Sequence, residues 1–339
     1  MNPSHERFAT DHPDHFFLDP ENPAALERHL IGLGSLDDGE MLTGCAVAGD
    51  GNMNCTLRVS TDRRSIIVKQ ARPWVEKYPQ FEAPWERVLR EAEFYRRVVG
   101  APKAAGMMPK LLACDEAHHL LVLEDLGEGG DYRSCYHGDV WELTTLQALA
   151  GYLSALHRTP KTGKFTNVAM RELNHAHIFI VPLQPDNGLD LEAIQPGFRE
   201  AAVALLDDEP YRLEVQSLGE RAYLTDGPCL LHGDFFPGSL VRTEQGPRVI
   251  DPEFAFFGRP EFDVAVFLAH LHLAKQSNMT EIFLDRYQRP EQYDEHLQEQ
   301  LVGVEIMRRL MGYAQLDLSL SVAEKRALLE QSRTLVIGS

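Results

Sequence analysis

The residues best able to do chemistry lie in two short stretches. Leu230-Leu231-His232-Gly233-Asp234-Phe235-Phe236-Pro237-Gly238-Ser239 is an apolar run ending in a tight turn that carries an acid. Val249-Ile250-Asp251-Pro252-Glu253 is a second apolar run, ending in two more acids. The gap between them has hairpin length, so the carboxylates stand at the ends of neighbouring strands and can converge on one point. Transfer of a phosphoryl group needs that arrangement: one carboxylate orients a hydroxyl, and others hold Mg²⁺ on the phosphates. Asp234 suits the first role, Asp251 and Glu253 the second. The same acids also admit a metallohydrolase, because H-x-D followed by later acids can hold a hydrolytic metal.

Stepping upstream separates the two chemistries. Gly49-Asp50-Gly51-Asn52-Met53-Asn54 is a turn whose glycines could let backbone N–H groups approach a phosphate, although a plain hairpin explains it too. There is no G-x-x-x-x-G-K-[ST] run. Lys69 closes the apolar strand Ile66-Ile67-Val68-Lys69, and a lysine there could grip phosphates if a helix glutamate steadied it. Glu91 is the first choice and Glu93 the second. Glu124-Asp125-Leu126 ends a strand before Gly127-Glu128-Gly129-Gly130, where a hinge could offer backbone groups to an adenine. Protein kinases order their parts in this way, with H-R-D-x-x-x-x-N and D-F-G to follow. Here Ser239 takes the Asn position, five residues after Asp234. A hydrolase needs none of these upstream parts.

The 339-residue chain is long enough for two lobes, and its 44% hydrophobic and 25% charged content fits a globular protein. A net charge of −18 disfavours nucleic-acid and anionic-membrane partners. The five cysteines are scattered without C-x-x-C spacing, which points to reduced thiols in a cytoplasmic protein. Neither a signal-peptide core near Met1 nor an apolar run of membrane-spanning length is visible. His5, His12 and His15 match no ligand motif, and residues 1–22 read as an irregular arm. The sequence leaves a homodimer open.

A first helix follows Asn22-Pro23. Residues 41–47, 55–59 and 65–70 then read as a three-strand antiparallel meander. A helix over 85–99, strands at 111–114 and 120–124, and a helix over 143–157 come next. Residues 160–197 read as irregular, 198–206 and 211–223 as helical, and the chain from 264 onward as mostly helical. The expected fold is α+β: a β-rich N-lobe over 1–126, and a mainly helical C-lobe over 127–339 with the catalytic loop and acceptor site.

With these parts in order, the chain resembles the aminoglycoside-phosphotransferase-like kinases, and within them the 5-methylthioribose kinases. Gly49–Asn54 is similar to their G-D-G-N-x-N loop, Val68-Lys69-Gln70-Ala71 to V/I-K-Q-A, and Glu124-Asp125-Leu126 to the E-D-L hinge. His232-Gly233-Asp234 with Gly238-Ser239 resembles H-G-D-L-H-T-G-S, and Ile250–Phe256 resembles I-D-P-E-F-A-F. Arg308-Arg309-Leu310-Met311-Gly312 is similar to their R-R-x-x-G segment. These motifs span residues 49–312.

The resemblance implies a bilobal protein-kinase-like fold and use of ATP with Mg²⁺. It implies phosphorylation of a small-molecule hydroxyl, with 5-methylthioribose converted at its anomeric hydroxyl to the 1-phosphate. Asp234 would be the catalytic residue and touch the acceptor. Gly49, Gly51, Asn52, Lys69, Glu91, Glu124, Asp125 and Leu126 would bind ATP. Asp251, Glu253 and Ser239 would hold the metal, and Arg308, Arg309 and Trp85 would line the acceptor site. Another sugar or amino alcohol, or a catalytically silent nucleotide-binding module, are the competing readings. The sequence departs from the family pattern at Phe236 and Pro237, which replace His and Thr, and at Glu261 and Ala265, which replace glycines. It is also shorter between the D-P-E segment and the paired arginines.

Overall fold

The computed structural model describes residues 3–49, 51 and 53–338. The chain groups into two compact units: Met1–Val99 with Met108–Gly130, and Gly100–Met107 with Asp131–Ser339.

In the first unit, α1 (Pro3–Asp11) and α2 (Pro23–Gly32) precede β1 (Leu42–Val47), β2 (Cys55–Thr61) and β3 (Ser65–Gln70). A short hairpin of β4 (Trp74–Val75) and β5 (Tyr78–Glu82) leads to α3 (Arg87–Val98), and β6 (Leu111–Asp115) and β7 (Leu120–Glu124) complete the unit. The main sheet has the order β1-β2-β3-β7-β6 and is antiparallel throughout. Leu57, Val59, Ile66, Val68, Leu120 and Val122 form one apolar face of this sheet. Leu26 and Leu30 of α2 and Leu18 cover it, as period-2 strands against a period-3.6 helix require. Asn22 caps α2 by accepting from the Ala25 N–H, and Pro23 fits the first helical turn.

Two sequence expectations change here. Residues 3–11 are helical, not an irregular arm, because Phe8 is buried among Phe17, Trp74 and Trp85 with His12 and His15 around it. The β4–β5 hairpin has no counterpart in the sequence reading.

In the second unit, α4 (Pro102–Ala105), α5 (Leu143–Leu156), α6 (Val168–His175), α7 (Leu191–Ile194), α8 (Phe198–Leu206) and α9 (Glu209–Leu218) come first. The strands β8 (Cys229–Leu231), β9 (Leu240–Thr243), β10 (Gly246–Val249) and β11 (Phe256–Gly258) follow. Then come α10 (Glu261–Leu273), α11 (Thr280–Arg286), α12 (Glu295–Met311) and α13 (Val322–Ile337). The stretch expected to be irregular holds α6 and a continuing helical turn to Leu183, because Met170, Ile178, Phe179 and Leu183 are buried at helical spacing. α10 is buried almost all round, and α12 lies beside it. No helix among the described residues is long and apolar enough to cross a membrane.

Candidate active site

In the second unit, β9 pairs with β10, and β11 pairs with β8 through Phe256↔Leu231. These pairings set the His232–Ser239 loop beside the Asp251–Glu253 segment. The Ile250 N–H donates to the Ser239 carbonyl at 3.0 Å. Gly233 has φ +86°, and a Cβ there would lie 2.2 Å from the Phe254 carbonyl oxygen, so only glycine permits the close approach. Asp251 is left-handed at φ 61°, ψ 52°. That backbone costs a non-glycine residue on the order of 1–3 kcal/mol and persists where surrounding structure enforces it. The Asn167 amide donates to the carbonyls of Glu253 (2.8 Å) and Ala255 (3.0 Å), fixing the segment from the other side.

The H-G-D turn is held by Asp263, a buried acid in the first turn of α10. Its Oδ2 accepts from the His232 N–H at 2.7 Å, and its Oδ1 from the Gly233 N–H at 2.9 Å. His157 Nε2 also lies 3.2 Å from Asp263 Oδ2. The His232 ring bonds to the Ile250 carbonyl through Nε2 at 2.9 Å, leaving Nδ1 to accept the Asp234 N–H at 3.3 Å. His232 therefore orients the turn that carries Asp234.

The structure brings Asp234 together with both arginines of the R-R-x-x-G segment. Arg309 Nη2 donates to Asp234 Oδ1 at 2.8 Å, and Arg308 Nη1 stands 3.7 Å from the same oxygen. Both guanidiniums also bind Glu305, one turn back on α12. Arg308 Nη1 lies 3.2 and 3.0 Å from its two oxygens, and Arg309 Nε donates at 2.6 Å. Arg308, Arg309 and Glu305 are all buried. Burial alone would raise the Glu305 pKa, but Arg308 and Arg309 outweigh it and hold the carboxyl well below the usual range. Burial likewise opposes the Arg309 charge, yet Glu305 and Asp234 raise its pKa above the ordinary arginine value.

Behind Glu305 sits His270, fully buried, with its pKa pushed down to about 4 by burial; the Glu305 hydrogen bond works the other way and Arg309 lowers it further. A neutral ring suits its partners. Nε2–H faces Glu305 Oε1 at 3.3 Å, and Nδ1 accepts from the Tyr136 hydroxyl at 2.6 Å. Phe236, where the family has His, lies 4.5 Å below the Arg309 guanidinium and tilts against the His270 ring at 5.3 Å. It therefore holds Arg309 by a cation–π contact where a histidine would place a second polar ring.

In the first unit, Lys69 Nζ lies 2.6 Å from Glu91 Oε2, with side chains 5% and 0% exposed. β3 supplies the lysine and the buried face of α3 the glutamate. Glu93 instead pairs with Arg90 and Arg97. Gly49 takes φ +68°, a glycine conformation, whereas Asn52 lies outside the described residues. The far end of this turn is tied down by buried Arg87, which donates to the Met53 carbonyl (2.6 Å) and Asn54 Oδ1 (2.8 Å). Asp125 pairs with Arg58 at 2.8 Å. Glu124 caps the Lys110 N–H at 3.1 Å, and Leu126 is half-buried. Trp85 stacks on His119 at 4.4 Å and donates its Nε1–H to the Ala71 carbonyl.

Asp263, Glu305, His270, Asn167 and Arg87 were missed by motif reading. A signal existed for three of them: Asp263 and His270 interrupt the apolar run Phe262–Leu273, and Glu305 interrupts Leu301–Met307. A polar residue in a helix with no polar face must find a buried partner.

The chain is 28% identical over 285 residues to a methylthioribose kinase of Geobacillus sp. (strain WCH70), covering 79% of this chain and 66% of that protein. It is 29% identical over 296 residues to that of Bacillus pumilus (strain SAFR-032), covering 81% and 68%. The chain thus spans about two thirds of the length of these relatives. Among solved structures, the choline kinase LicA of Streptococcus pneumoniae superposes with a TM-score of 0.55 at 15% identity, covering 93% of this chain and 99% of that one. A spectinomycin phosphotransferase, APH(9)-Ia, solved with ADP and spectinomycin, gives 0.54 at 12% identity, covering 92% and 97%. These two likenesses establish the fold, the protein-kinase-like fold expected from the motifs. The model of the phosphotransferase enzyme family (APH) matches residues 45–297, and the chain belongs to that family.

Proposed function

We propose that the protein is an ATP-dependent kinase of a small-molecule hydroxyl, with 5-methylthioribose, phosphorylated at its anomeric position, as the first-choice acceptor. The observation that carries the reading is the Asp234 carboxylate, set on a fixed H-G-D turn with Arg309 2.8 Å from its Oδ1. Asp234 orients the acceptor hydroxyl and takes its proton as the oxygen attacks the terminal phosphoryl group. Arg308 and Arg309 offer planar, multi-donor groups to the acceptor oxygens and to the charge that develops on the transferring phosphoryl group. Lys69, braced by Glu91, holds nucleotide phosphates, with the Gly49–Gly51 turn over them and the 124–126 segment at the adenine.

Asp251, Glu253 and the Ser239 hydroxyl are all oxygen donors, the type Mg²⁺ takes. The enforced left-handed backbone of Asp251 fits a residue whose carboxylate must point one way. Bound there, Mg²⁺ would neutralise charge on the phosphates. The methylthioribose kinase names of the relatives and the paired arginines support the acceptor assignment.

The test is phosphate transfer from ATP to 5-methylthioribose, with ribose, choline and kanamycin as comparison acceptors. Preferred turnover of 5-methylthioribose supports the full reading. Faster turnover of another acceptor keeps the kinase and removes this substrate. No transfer, together with no melting shift in millimolar Mg-ATP, overturns both. At about 100 times its dissociation constant, Mg-ATP should stabilise the fold by about 2.7 kcal/mol.

A further inference from the structure

In the first unit, three ligand-type side chains that no role above uses meet from three elements. His29 comes from α2, Asp115 from the end of β6, and His118 from the turn between β6 and β7. His29 Nε2 lies 2.9 Å and His118 Nδ1 2.7 Å from one oxygen, Asp115 Oδ2. Among the described residues this is the one set of three His, Cys, Asp or Glu side chains whose ligand atoms all lie within 4.8 Å of one another. We propose that His29, Asp115 and His118 bind one divalent transition-metal ion of the zinc class.

Two imidazole nitrogens and a carboxylate oxygen are a zinc ligand set, with water in the fourth position. At ligand distances of about 2.0–2.2 Å a tetrahedral ion sets ligand atoms about 3.4 Å apart, so each nitrogen needs to retreat from Asp115 by about 0.5–0.7 Å and the two nitrogens, which lie within 4.8 Å of one another, to settle at the same spacing. The surroundings already orient the ligands. The His29 ring stacks face to face on Phe16 at 3.9 Å and 8°. The His118 ring stands edge-on to it at 5.1 Å and 87°. The His118 N–H donates to Asp115 Oδ1 at 3.2 Å, and its carbonyl accepts from Gln70 Nε2 at 3.0 Å. His15 Nε2 reaches the same carbonyl at 3.1 Å. The first of these bonds occupies the second oxygen of the carboxylate, as ligating carboxylates in metal sites are themselves hydrogen-bonded, and the other two anchor the His118 backbone. The three side chains are 16%, 12% and 27% exposed, so an ion can enter.

The occupied site would clamp α2 onto the β6–β7 hairpin, joining positions 86 residues apart in sequence. The competing state is a metal-free cluster in which Asp115 accepts from both imidazoles.

The test takes the full chain, stripped by a chelator, and titrates it with Zn²⁺ alone by calorimetry, with Co²⁺ as the spectroscopic probe. The expected result is one equivalent bound, a raised melting temperature that a chelator reverses, and a tetrahedral Co²⁺ ligand-field spectrum. Loss of a supporting partner in metal sites costs about 10–100-fold in affinity, so losing a ligand in His118→Gln or Asp115→Asn should cost at least that. Asp115→Asn keeps a hydrogen-bond acceptor and so separates ligation from hydrogen bonding. His12→Gln, a nearby non-ligand, should change nothing. Absence of binding by the wild-type chain, or binding that survives both ligand substitutions, overturns the proposal. If a variant fails to fold, the wild-type stoichiometry and Co²⁺ spectrum decide it, and an octahedral spectrum counts against it.

Discussion

Arg309 joins Glu305 to Asp234 through a single guanidinium: Nε donates to Glu305 Oε1 at 2.6 Å and Nη2 to Asp234 Oδ1 at 2.8 Å. Two acids and two guanidiniums thus share one buried group, with Arg308 completing it. Glu305 holds both arginines in place and keeps their full charge from falling on Asp234.

Glu305→Gln tests that balance. It removes one acid from a buried charge group, so a stability loss of about 3–5 kcal/mol is expected in denaturant unfolding. With Glu305 neutral, both guanidiniums lose the carboxylate that holds them in place, so kcat/KM for the acceptor should fall while nucleotide affinity is unchanged. An unchanged kcat/KM in a variant that has lost this stability would leave Glu305 with a packing role only.

The Lys69–Glu91 pair makes a separate prediction. Lys69→Met removes the ammonium 2.6 Å from a fully buried Glu91 carboxylate and should cost about 3–5 kcal/mol in stability. Replacing both residues, as Lys69→Met with Glu91→Leu, should recover most of that loss, because two apolar side chains can pack where the ions stood. Nucleotide affinity, measured by ADP titration, should stay low in the double variant. Restored affinity would show that Lys69 does not hold phosphates.

His270 gives the chain a pH dependence of defined sign. Its pKa is about 4 in the folded protein against 6.5 for an unperturbed imidazole. Between these values the unfolded chain binds a proton that the native state refuses, so stability falls as pH drops from 6.5 towards 4. Each tenfold change in proton affinity is worth about 1.4 kcal/mol, so the full effect is roughly 3 kcal/mol. Melting curves across this range should be steeper in pH for the wild type than for His270→Gln. Parallel curves would show that His270 is not the group responsible.

What the sequence made legible follows from how local each signal is. The meander of β1, β2 and β3, the position of Lys69 and the choice of Glu91 over Glu93 were readable, because strand alternation and helix periodicity fix which side chains face inward. The meeting of Asp234 with Arg308 and Arg309 rested on a shared motif; nothing in their spacing of 74 and 75 residues announces a contact. α1 was not readable, because nine residues with three prolines nearby form a helix only when Phe8 finds its aromatic pocket. The supports of the site were hidden for a related reason. Asp263 and Glu305 meet Gly233 and His270, partners 30 and 35 positions away that only the fold brings near.

The central claim is that Asp234 is the catalytic carboxylate of an ATP-dependent transfer to a small hydroxyl compound. The most direct measurement is turnover with ATP and 5-methylthioribose by the wild type and by Asp234→Asn, beside nucleotide affinity for both. The expected result is wild-type transfer, with turnover lowered by about 10²–10⁴-fold in Asp234→Asn while nucleotide affinity is nearly unchanged. Near-normal turnover by Asp234→Asn on an acceptor that the wild type phosphorylates would contradict it.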